Sequence, residues 1–214
     1  MAYHILFDLD GTLTDPKAGI TKSVQFALRS FGINVDDPDS LSPFIGPPLR
    51  ASFKKYYGFD DAGAEKAVQE YRKYFSEKGI YENTIYDGTA EMLQLLKAAQ
   101  KTLLVATSKP TVYAEQILKH FDLHHYFSFV SGSELDGGRS DKYEVIQYAL
   151  EQNCISDLSE VIMVGDREHD IFGAKKAGVF SIGVLFGYGN YDELKNAGAD
   201  MIVSNTKELL ESLM

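Results

Sequence analysis

The sequence is poor in the residues that mark several classes of protein. It has a single cysteine, Cys154, among 214 residues, which excludes an internal disulfide and any cysteine-rich zinc site. It has no tryptophan, and no apolar run approaches the roughly 18 residues that a membrane-spanning helix requires. Its beginning lacks a basic segment followed by an apolar one, so no export signal is expected. These absences favour a cytoplasmic protein without a membrane partner.

Positive charge is also scarce. The chain has 21 lysines and arginines against 31 aspartates and glutamates, a formal net charge of −10. Such an acidic surface argues against a nucleic-acid polymer as a partner. With 44% hydrophobic and 24% charged residues, the composition is that of a globular protein. The length is sufficient for one large core and a smaller additional domain.

The most informative stretch follows a short apolar run at residues 5–7, which predicts a buried strand. Asp8 and Asp10 come directly after this run, and in an extended chain residues two apart point to the same side. Gly11 allows the backbone to turn sharply behind them. Two carboxylates this close repel each other unless a cation or a shared proton offsets their charge. The pattern therefore indicates a metal ion, an acid–base role, or both.

Helical and apolar segments alternate regularly from residue 89 onward. The apolar segments predict strands at residues 102–107, 127–131, 161–165, 181–185 and 201–203. Repeated units of this kind form a doubly wound α/β fold with a parallel sheet and right-handed crossovers. In the order 3-2-1-4-5-6, the first strand lies beside the fourth, and ligands bind at this switch point, outside the carboxyl ends of the strands.

The residues between the first two strands of this sheet show a different pattern. Apolar residues recur there at intervals of three or four, and no strand pattern is evident before residue 80. This predicts a small all-helical domain at 15–84, inserted into an α/β core made of 1–14 and 85–214. Residues 15–85 contain eleven aromatic side chains. Some of them can stack on a nucleobase, although packing within a helical bundle is the simpler role.

A second acidic group follows the strand at 161–165. Asp166 comes at the end of that strand, so the predicted topology brings it close to Asp8. Asp170 comes four residues later, near the start of a helix, where capping of the helix would also explain it. Carboxylate oxygens of this kind suit Mg²⁺, which often binds through one or two carboxylates and a substrate phosphate. We therefore expect a Mg²⁺ site at this switch point.

Two of these acidic segments resemble motifs of one enzyme superfamily. The sequence Asp-Leu-Asp-Gly-Thr at 8–12 resembles the first motif of the haloacid dehalogenase (HAD) superfamily. The Gly-Asp pair at 165–166, followed by Asp170, resembles its fourth motif. The resemblance implies that Asp8 is the nucleophile and Asp10 the general acid and base. It also implies that Mg²⁺ is held by Asp8, the backbone carbonyl of Asp10 and Asp166, with support from Asp170.

The other two HAD motifs match less closely. Thr107 resembles the hydroxyl residue of the second motif, and Ser108 stands where many members have asparagine. The third motif is a lysine before a helix, and Lys142 fits by position, although the proline that follows it in many relatives is missing. A surface lysine at a helix start would look the same, and Lys109 and Arg139 are the alternative cations. The phosphate ligands implied by the resemblance are Asp8, Gly11, Thr107, Ser108 and Lys142.

The helical insert resembles the C1 cap of the phosphoglycolate phosphatase-like group, which closes over the active site. The stretch at 46–50 and the Gly-Asp-Arg at 165–167 resemble the bacterial 5′-nucleotidase-like members of this group. The expected activity is Mg²⁺-dependent hydrolysis of a small phosphate ester, with nucleoside 5′-monophosphates favoured. Phosphoglycolate hydrolysis and a β-phosphoglucomutase-like reaction are the alternatives. Arg50 and Lys109 are candidate substrate contacts, and the protein is expected to be a monomer or a homodimer.

Other classes of function fit the sequence less well. A phospho-accepting receiver domain shares acidic pairs, a hydroxyl residue, lysine and Mg²⁺, but it is shorter, lacks a cap and has its acceptor on a middle strand. A non-catalytic binder is expected to have lost Asp8 or Asp10. The stretch Gly187-Tyr188-Gly189 follows a predicted strand but lacks the third glycine of a dinucleotide fingerprint.

Overall fold

The computed structural model describes residues 3–214. The strands in this part of the chain are β1 (His4–Phe7), β2 (Thr14–Asp15), β3 (Thr84–Ile85), β4 (Thr102–Pro110), β5 (Phe129–Ser133), β6 (Val161–Gly165), β7 (Phe180–Val184) and β8 (Met201–Val203). The helices are α1 (Lys17–Arg29), α2 (Leu49–Tyr57), α3 (Asp61–Glu77), α4 (Thr89–Ala98), α5 (Thr111–His120), α6 (Lys142–Gln152), α7 (Glu168–Ala177), α8 (Tyr191–Ala197) and α9 (Thr206–Leu213). None of these helices is long and apolar enough to cross a bilayer.

The described residues separate into two compact units. The first comprises residues 3–15 and 85–214, and the second comprises residues 16–84. Asp15, which the sequence analysis assigns to the insert, therefore belongs to the first unit. This unit has the six-stranded sheet and α4–α9, whereas the second has α1–α3 and a 3₁₀ helix at Pro38–Phe44.

The six strands of the large sheet are parallel and lie in the order β5-β4-β1-β6-β7-β8. This confirms the predicted doubly wound α/β fold, with β1 between β4 and β6. Phe7 pairs with Val105 on β4 and with Val164 on β6. Because the strands are parallel, the residues that follow these three positions all emerge at one edge of the sheet. That edge is the predicted switch point.

The central strands are buried on both faces, as expected for a parallel sheet covered by helices. Leu6, Leu104 and Met163, one from each of β1, β4 and β6, belong to a single buried cluster with residues of α6 and α7. Full burial of each such side chain contributes about 1.5–3 kcal/mol. The strands that end at the switch point are therefore held by a buried core that α6 and α7 share.

Two strands extend beyond their predicted ends. β4 continues to Pro110 instead of ending at residue 107, and β5 covers Phe129–Ser133 instead of 127–131. The register between the two strands shifts after Ala106, and Pro110 then pairs with Ser133. Gly132 and Ser133 lack the apolar pattern that predicts a strand, so only the pairing with β4 shows that they belong to one.

The second unit is a bundle of helices with aromatic side chains in its interior. Phe44 and Phe53 are almost fully buried, and their ring centroids lie 5.0 Å apart. Tyr71 and Phe75 stack within α3 at 5.2 Å. Most of the aromatic residues of this unit therefore have a packing role. Three aromatic residues of this unit are exposed: Phe26, Tyr56 and Tyr81.

Candidate active site

Three aspartates meet at the switch point. Asp8 follows β1, Asp166 follows β6, and Asp170 lies in the first turn of α7. One carboxylate oxygen from each lies within 4.8 Å of the other two. All three side chains are buried, with Asp166 fully inaccessible. The structure thus brings together residues that are more than 150 positions apart in the sequence.

Lys142 completes this cluster. Its Nζ lies 2.7 Å from Oδ1 of Asp8 and 2.7 Å from Oδ1 of Asp170, and it donates to the Ala106 carbonyl at 3.0 Å. Burial alone lowers the pKa of Lys142, but the carboxylates of Asp170 and Asp8 outweigh it and raise the pKa above the usual range. Lys142 is therefore positively charged at neutral pH.

The alternative cation Arg139 lies elsewhere. Its guanidinium forms an ion pair with Glu134, and its Nε donates to the Gly132 carbonyl at 2.9 Å. It also stacks 3.8 Å from the ring centroid of Tyr148. These contacts hold Arg139 within the loop before α6. Of the two candidates, Lys142 is therefore the cation that contacts Asp8.

Asp10 forms a second buried ion pair. Its Oδ2 lies 2.6 Å from Nζ of Lys109, and both side chains are less than a tenth exposed. Its Oδ1 is buried without a hydrogen-bond partner among residues 3–214. Burial raises the pKa of Asp10, and this effect exceeds the opposing effect of Lys109. Asp10 can therefore hold a proton more readily than an exposed aspartate.

The residues of the second motif lie at the same edge of the sheet. Thr107 is buried two residues beyond Val105, the partner of Phe7, and its Oγ1 accepts a hydrogen bond from the Lys109 backbone at 3.3 Å. The carbonyl of Ser108 accepts a hydrogen bond from the Ser133 hydroxyl at 2.8 Å. These bonds fix the backbone that follows the buried part of β4.

The turn after Asp10 packs directly on Asp166. Gly11 has φ of +87°, and a Cβ at this position would lie 2.3 Å from Oδ2 of Asp166. Only glycine satisfies both the positive φ and the close approach. The hydroxyl of Thr12 donates to Oδ1 of Asp166 at 3.4 Å. Gly11 thus brings the first acidic segment against the second.

A contact that the sequence analysis missed comes from the loop after β7. The backbone N–H of Tyr188 donates to Oδ2 of Asp166 at 2.7 Å. A Cβ on Gly187 would lie 2.5 Å from Oδ2 of Asp166, and one on Gly189 would lie 1.9 Å from the Asp166 carbonyl oxygen. The position of β7 next to β6 was a signal for this contact, because the loops after both strands emerge at one edge.

Asp170 has two roles at once. Its Oδ2 accepts a hydrogen bond from the Arg167 backbone at 3.0 Å, so it caps the start of α7. Its Oδ1 faces Lys142. Arg167 is itself fixed by Glu193, whose carboxylate lies 2.8 Å from its Nε. Asp170 therefore caps α7 and also lies in the acidic cluster, and its support of a metal ion stays a prediction.

Sequence and structure comparisons identify the family. The model of the haloacid dehalogenase-like hydrolases matches residues 5–184. The chain belongs to this family. It is 50% identical over 192 residues to a Pseudomonas aeruginosa protein named 5′-nucleotidase, covering 90% of this chain and 86% of the relative. A crystal structure of a predicted phosphatase from Clostridium acetobutylicum has a TM-score of 0.97 and 51% identity, covering 100% of this chain and 99% of that one.

Another relative has a different name. Tyrosine-protein kinase PtkA of Mycobacterium tuberculosis is 36% identical over 212 residues, covering 98% of this chain and 72% of the relative. The family membership confirms the predicted HAD superfamily. It also confirms the predicted class of enzyme, a HAD-like phosphatase.

The acidic groups of this HAD-like site fit a divalent cation. Four aspartates (Asp8, Asp10, Asp166 and Asp170) face two lysines (Lys109 and Lys142), which leaves a formal excess of two negative charges. Burial raises the pKa of Asp166 and of Asp170, and repulsion from neighbouring carboxylates raises both further. A divalent cation would remove this repulsion, and hard oxygen ligands are those that Mg²⁺ prefers.

Arg50, the other candidate substrate contact, lies on α2 in the helical unit of this HAD-like chain. Its guanidinium is 3.7 Å from a carboxylate oxygen of Asp61 and 3.9 Å from one of Glu65, and its side chain is 52% exposed. Exposed ion pairs of this kind contribute little to stability. A role for Arg50 in substrate binding remains a prediction.

Proposed function

We propose that this HAD-like phosphatase is a Mg²⁺-dependent phosphomonoesterase that acts through an aspartyl-phosphate on Asp8, with nucleoside 5′-monophosphates as preferred substrates. The observation that supports it most is the buried contact between Asp8 and Lys142 at 2.7 Å, within a cluster of further carboxylates. A capping or packing role alone does not require a group of buried acids whose charge two lysines only partly offset, because their burial is unfavourable.

In the first step, an oxygen of the Asp8 carboxylate attacks phosphorus and the bond to the ester oxygen breaks. Asp10 donates its proton to the departing oxygen, so the alcohol leaves neutral. The raised pKa of Asp10 suits it to this role, because more of the protonated form is present near neutral pH. The phosphoryl group is then covalently bound to Asp8.

In the second step, water attacks phosphorus and the bond to Asp8 breaks. Asp10, now deprotonated, takes a proton from this water, which restores the starting state of both aspartates. The ion pair with Lys109 stabilises the deprotonated form of Asp10 between the two steps. Phosphate is the product that leaves.

Positive charge stabilises the transferred group. Lys142 is fixed by Asp8 and Asp170, so it contributes to charge stabilisation without reorganising during the reaction. Gly11, Thr107 and Ser108 are the proposed phosphate ligands beside it. Mg²⁺ would be held by Asp8, the Asp10 carbonyl and Asp166, with Asp170 in support, and when bound it neutralises negative charge on the phosphoryl oxygens.

The preference for nucleotides rests on the relative named 5′-nucleotidase, which is 50% identical to this chain. We test it by measuring phosphate release with Mg²⁺ from nucleoside 5′-monophosphates, 2-phosphoglycolate and sugar phosphates, with Asp8→Asn as the blank. We expect kcat/KM for the best nucleotide to exceed that for the other substrates by about tenfold or more, a difference of about 1.4 kcal/mol in transition-state binding.

Other results of this panel, and of added assays with a sugar phosphate and with ATP and a tyrosine peptide, would support different activities. A preference for 2-phosphoglycolate would make the chain a phosphoglycolate phosphatase. Isomerisation of a sugar phosphate without phosphate release would indicate a phosphomutase. ATP-dependent phosphorylation of a tyrosine peptide, without hydrolysis of any ester in the panel, would contradict the phosphomonoesterase and favour the activity for which PtkA is named.

Lys109 is expected to act through Asp10 and not through the substrate. Nζ of Lys109 lies 2.6 Å from Oδ2 of Asp10. Because of this contact, Lys109→Met should lower kcat about tenfold and change KM by less than about threefold. The measurement is steady-state kinetics on the best substrate of the panel. Lys97→Met, on the exposed face of α4, is the matched control and should leave both constants unchanged. A large rise in KM with unchanged kcat would instead assign Lys109 to substrate binding.

A further inference from the structure

The loop at 187–189 covers Asp166, and Tyr188 is its one residue with a side chain. Its neighbours Gly187 and Gly189 have no side chains, and both lie against Asp166, so the loop reaches this carboxylate with backbone atoms alone. The N–H of Tyr188 is the donor that binds Oδ2 of Asp166. Glycines on both sides leave the backbone of the loop with little intrinsic preference for this conformation. Something else must hold the loop in place.

The hydroxyl of Tyr188 provides that anchor. It donates a hydrogen bond to Oδ1 of Asp15, the residue that ends β2. Burial raises the pKa of the Tyr188 hydroxyl, and its neighbours Asp15 and Tyr86 raise it further. Tyr86 is fixed in turn, because its backbone N–H donates to the Leu13 carbonyl at 3.2 Å and its ring packs on Phe186, with centroids 5.3 Å apart.

These contacts make one connected path. Asp15 holds the hydroxyl end of Tyr188, and the backbone of the same residue holds Oδ2 of Asp166. The other oxygen of Asp166 faces the hydroxyl of Thr12. The carboxylate thus has a donor on each oxygen, and its plane depends on the position of Tyr188.

We infer that Tyr188 is a positioning residue for the metal site: its hydroxyl, anchored by Asp15, keeps the loop at 187–189 in place so that its N–H orients Asp166 as a ligand for a divalent cation. This inference rests on the proposed function, because it assigns Asp166 to a Mg²⁺ site. Partners that orient metal ligands typically change metal affinity or activity by about 10–100-fold when they are removed.

The test is Tyr188→Phe, which removes the hydroxyl and keeps the ring and the backbone N–H. Titration calorimetry with MgCl₂ on the metal-depleted full-length protein measures affinity without any turnover. We expect Mg²⁺ to bind about tenfold more weakly to the variant than to the wild type. At saturating Mg²⁺, KM for the best phosphate ester should stay within about twofold, because Tyr188 does not act on the substrate in this role.

Variants of the anchor separate this role from a general loss of packing. Asp15→Ala removes the acceptor and should weaken Mg²⁺ binding as much as Tyr188→Phe does, whereas Asp15→Asn keeps an acceptor oxygen and should restore most of the affinity. The double variant Tyr188→Phe with Asp15→Ala should bind Mg²⁺ no more weakly than either single variant, because the hydrogen bond between Tyr188 and Asp15 is already absent from each of them. Tyr191→Phe, at an exposed tyrosine, is the control and should match the wild type.

Three outcomes overturn the inference. Wild-type Mg²⁺ affinity in Tyr188→Phe, or an additive loss in the double variant, would overturn it while the proposed function stands, provided that the wild-type protein binds Mg²⁺ and hydrolyses its ester. Absence of Mg²⁺ binding by the wild-type protein would overturn both, because the proposed function then lacks its cation as well.

Discussion

Asp8→Asn is expected to lower turnover by about three orders of magnitude or more, with the protein still folded. An amide is not a nucleophile for phosphorus, so the covalent intermediate cannot form, and removal of a nucleophile usually eliminates nearly all of the rate enhancement. The fold should survive because Lys142 keeps its contact with Asp170, and because the substitution removes one of three clustered negative charges. Steady-state kinetics and circular dichroism measure the two effects.

The matched control for this variant is Asp122→Asn. Asp122 is 98% exposed and has φ of +57°, a conformation that asparagine adopts readily, so neither activity nor stability should change. A second measurement is direct detection of the intermediate by mass spectrometry of acid-quenched protein, with the phosphoryl group on the peptide that contains Asp8. Residual turnover above a tenth of the wild-type value in Asp8→Asn would contradict the assignment of the nucleophile.

Removal of divalent cations is expected to abolish activity reversibly. Without a cation, the four aspartates and two lysines of the site retain an excess of negative charge, and a phosphate ester adds more. Dialysis against EDTA should reduce the rate to the level of Asp8→Asn, and Mg²⁺ added in excess over the chelator should restore it. Mg²⁺ should also raise the melting temperature of the metal-free protein, because a ligand that binds only the folded state stabilises it by mass action.

Two comparisons make this result specific to Mg²⁺ at the site. Dialysis without EDTA should leave the rate unchanged once Mg²⁺ is added to the assay. The melting temperature of an Asp166→Asn variant should respond less to Mg²⁺ than that of the wild type, because Asp166 is one of the three clustered carboxylates. Full activity in protein whose metal content, measured by elemental analysis, is far below one ion per chain would contradict a metal requirement.

The parts of this fold that follow from local sequence patterns were predictable. The apolar runs at β1 and β6 have the length of buried strands, and each is followed directly by an aspartate. The doubly wound order then places Asp8 and Asp166 at neighbouring strand ends, as the structure shows. The apolar pattern and the strand order together were sufficient to predict that these two side chains lie close together, because each directly follows a rigid strand.

Contacts made by loops were harder to predict. Lys142 and Arg139 are three residues apart, and only the observed path of the loop shows that Lys142 reaches Asp8, which is 134 positions away, while Arg139 binds Glu134. The ion pair between Lys109 and Asp10 depends in the same way on the irregular pairing after Ala106. Loop conformations of this kind have no periodic signal in the sequence.

The close packing of main-chain atoms against Asp166 has a consequence for protein engineering. Gly11, Gly187 and Gly189 approach this carboxylate so closely that even an alanine at any of the three would overlap it or the adjoining backbone. Libraries that randomise these positions should yield almost exclusively inactive clones. Attempts to redirect this enzyme to another phosphate ester should therefore conserve the three glycines and vary side chains elsewhere in the chain.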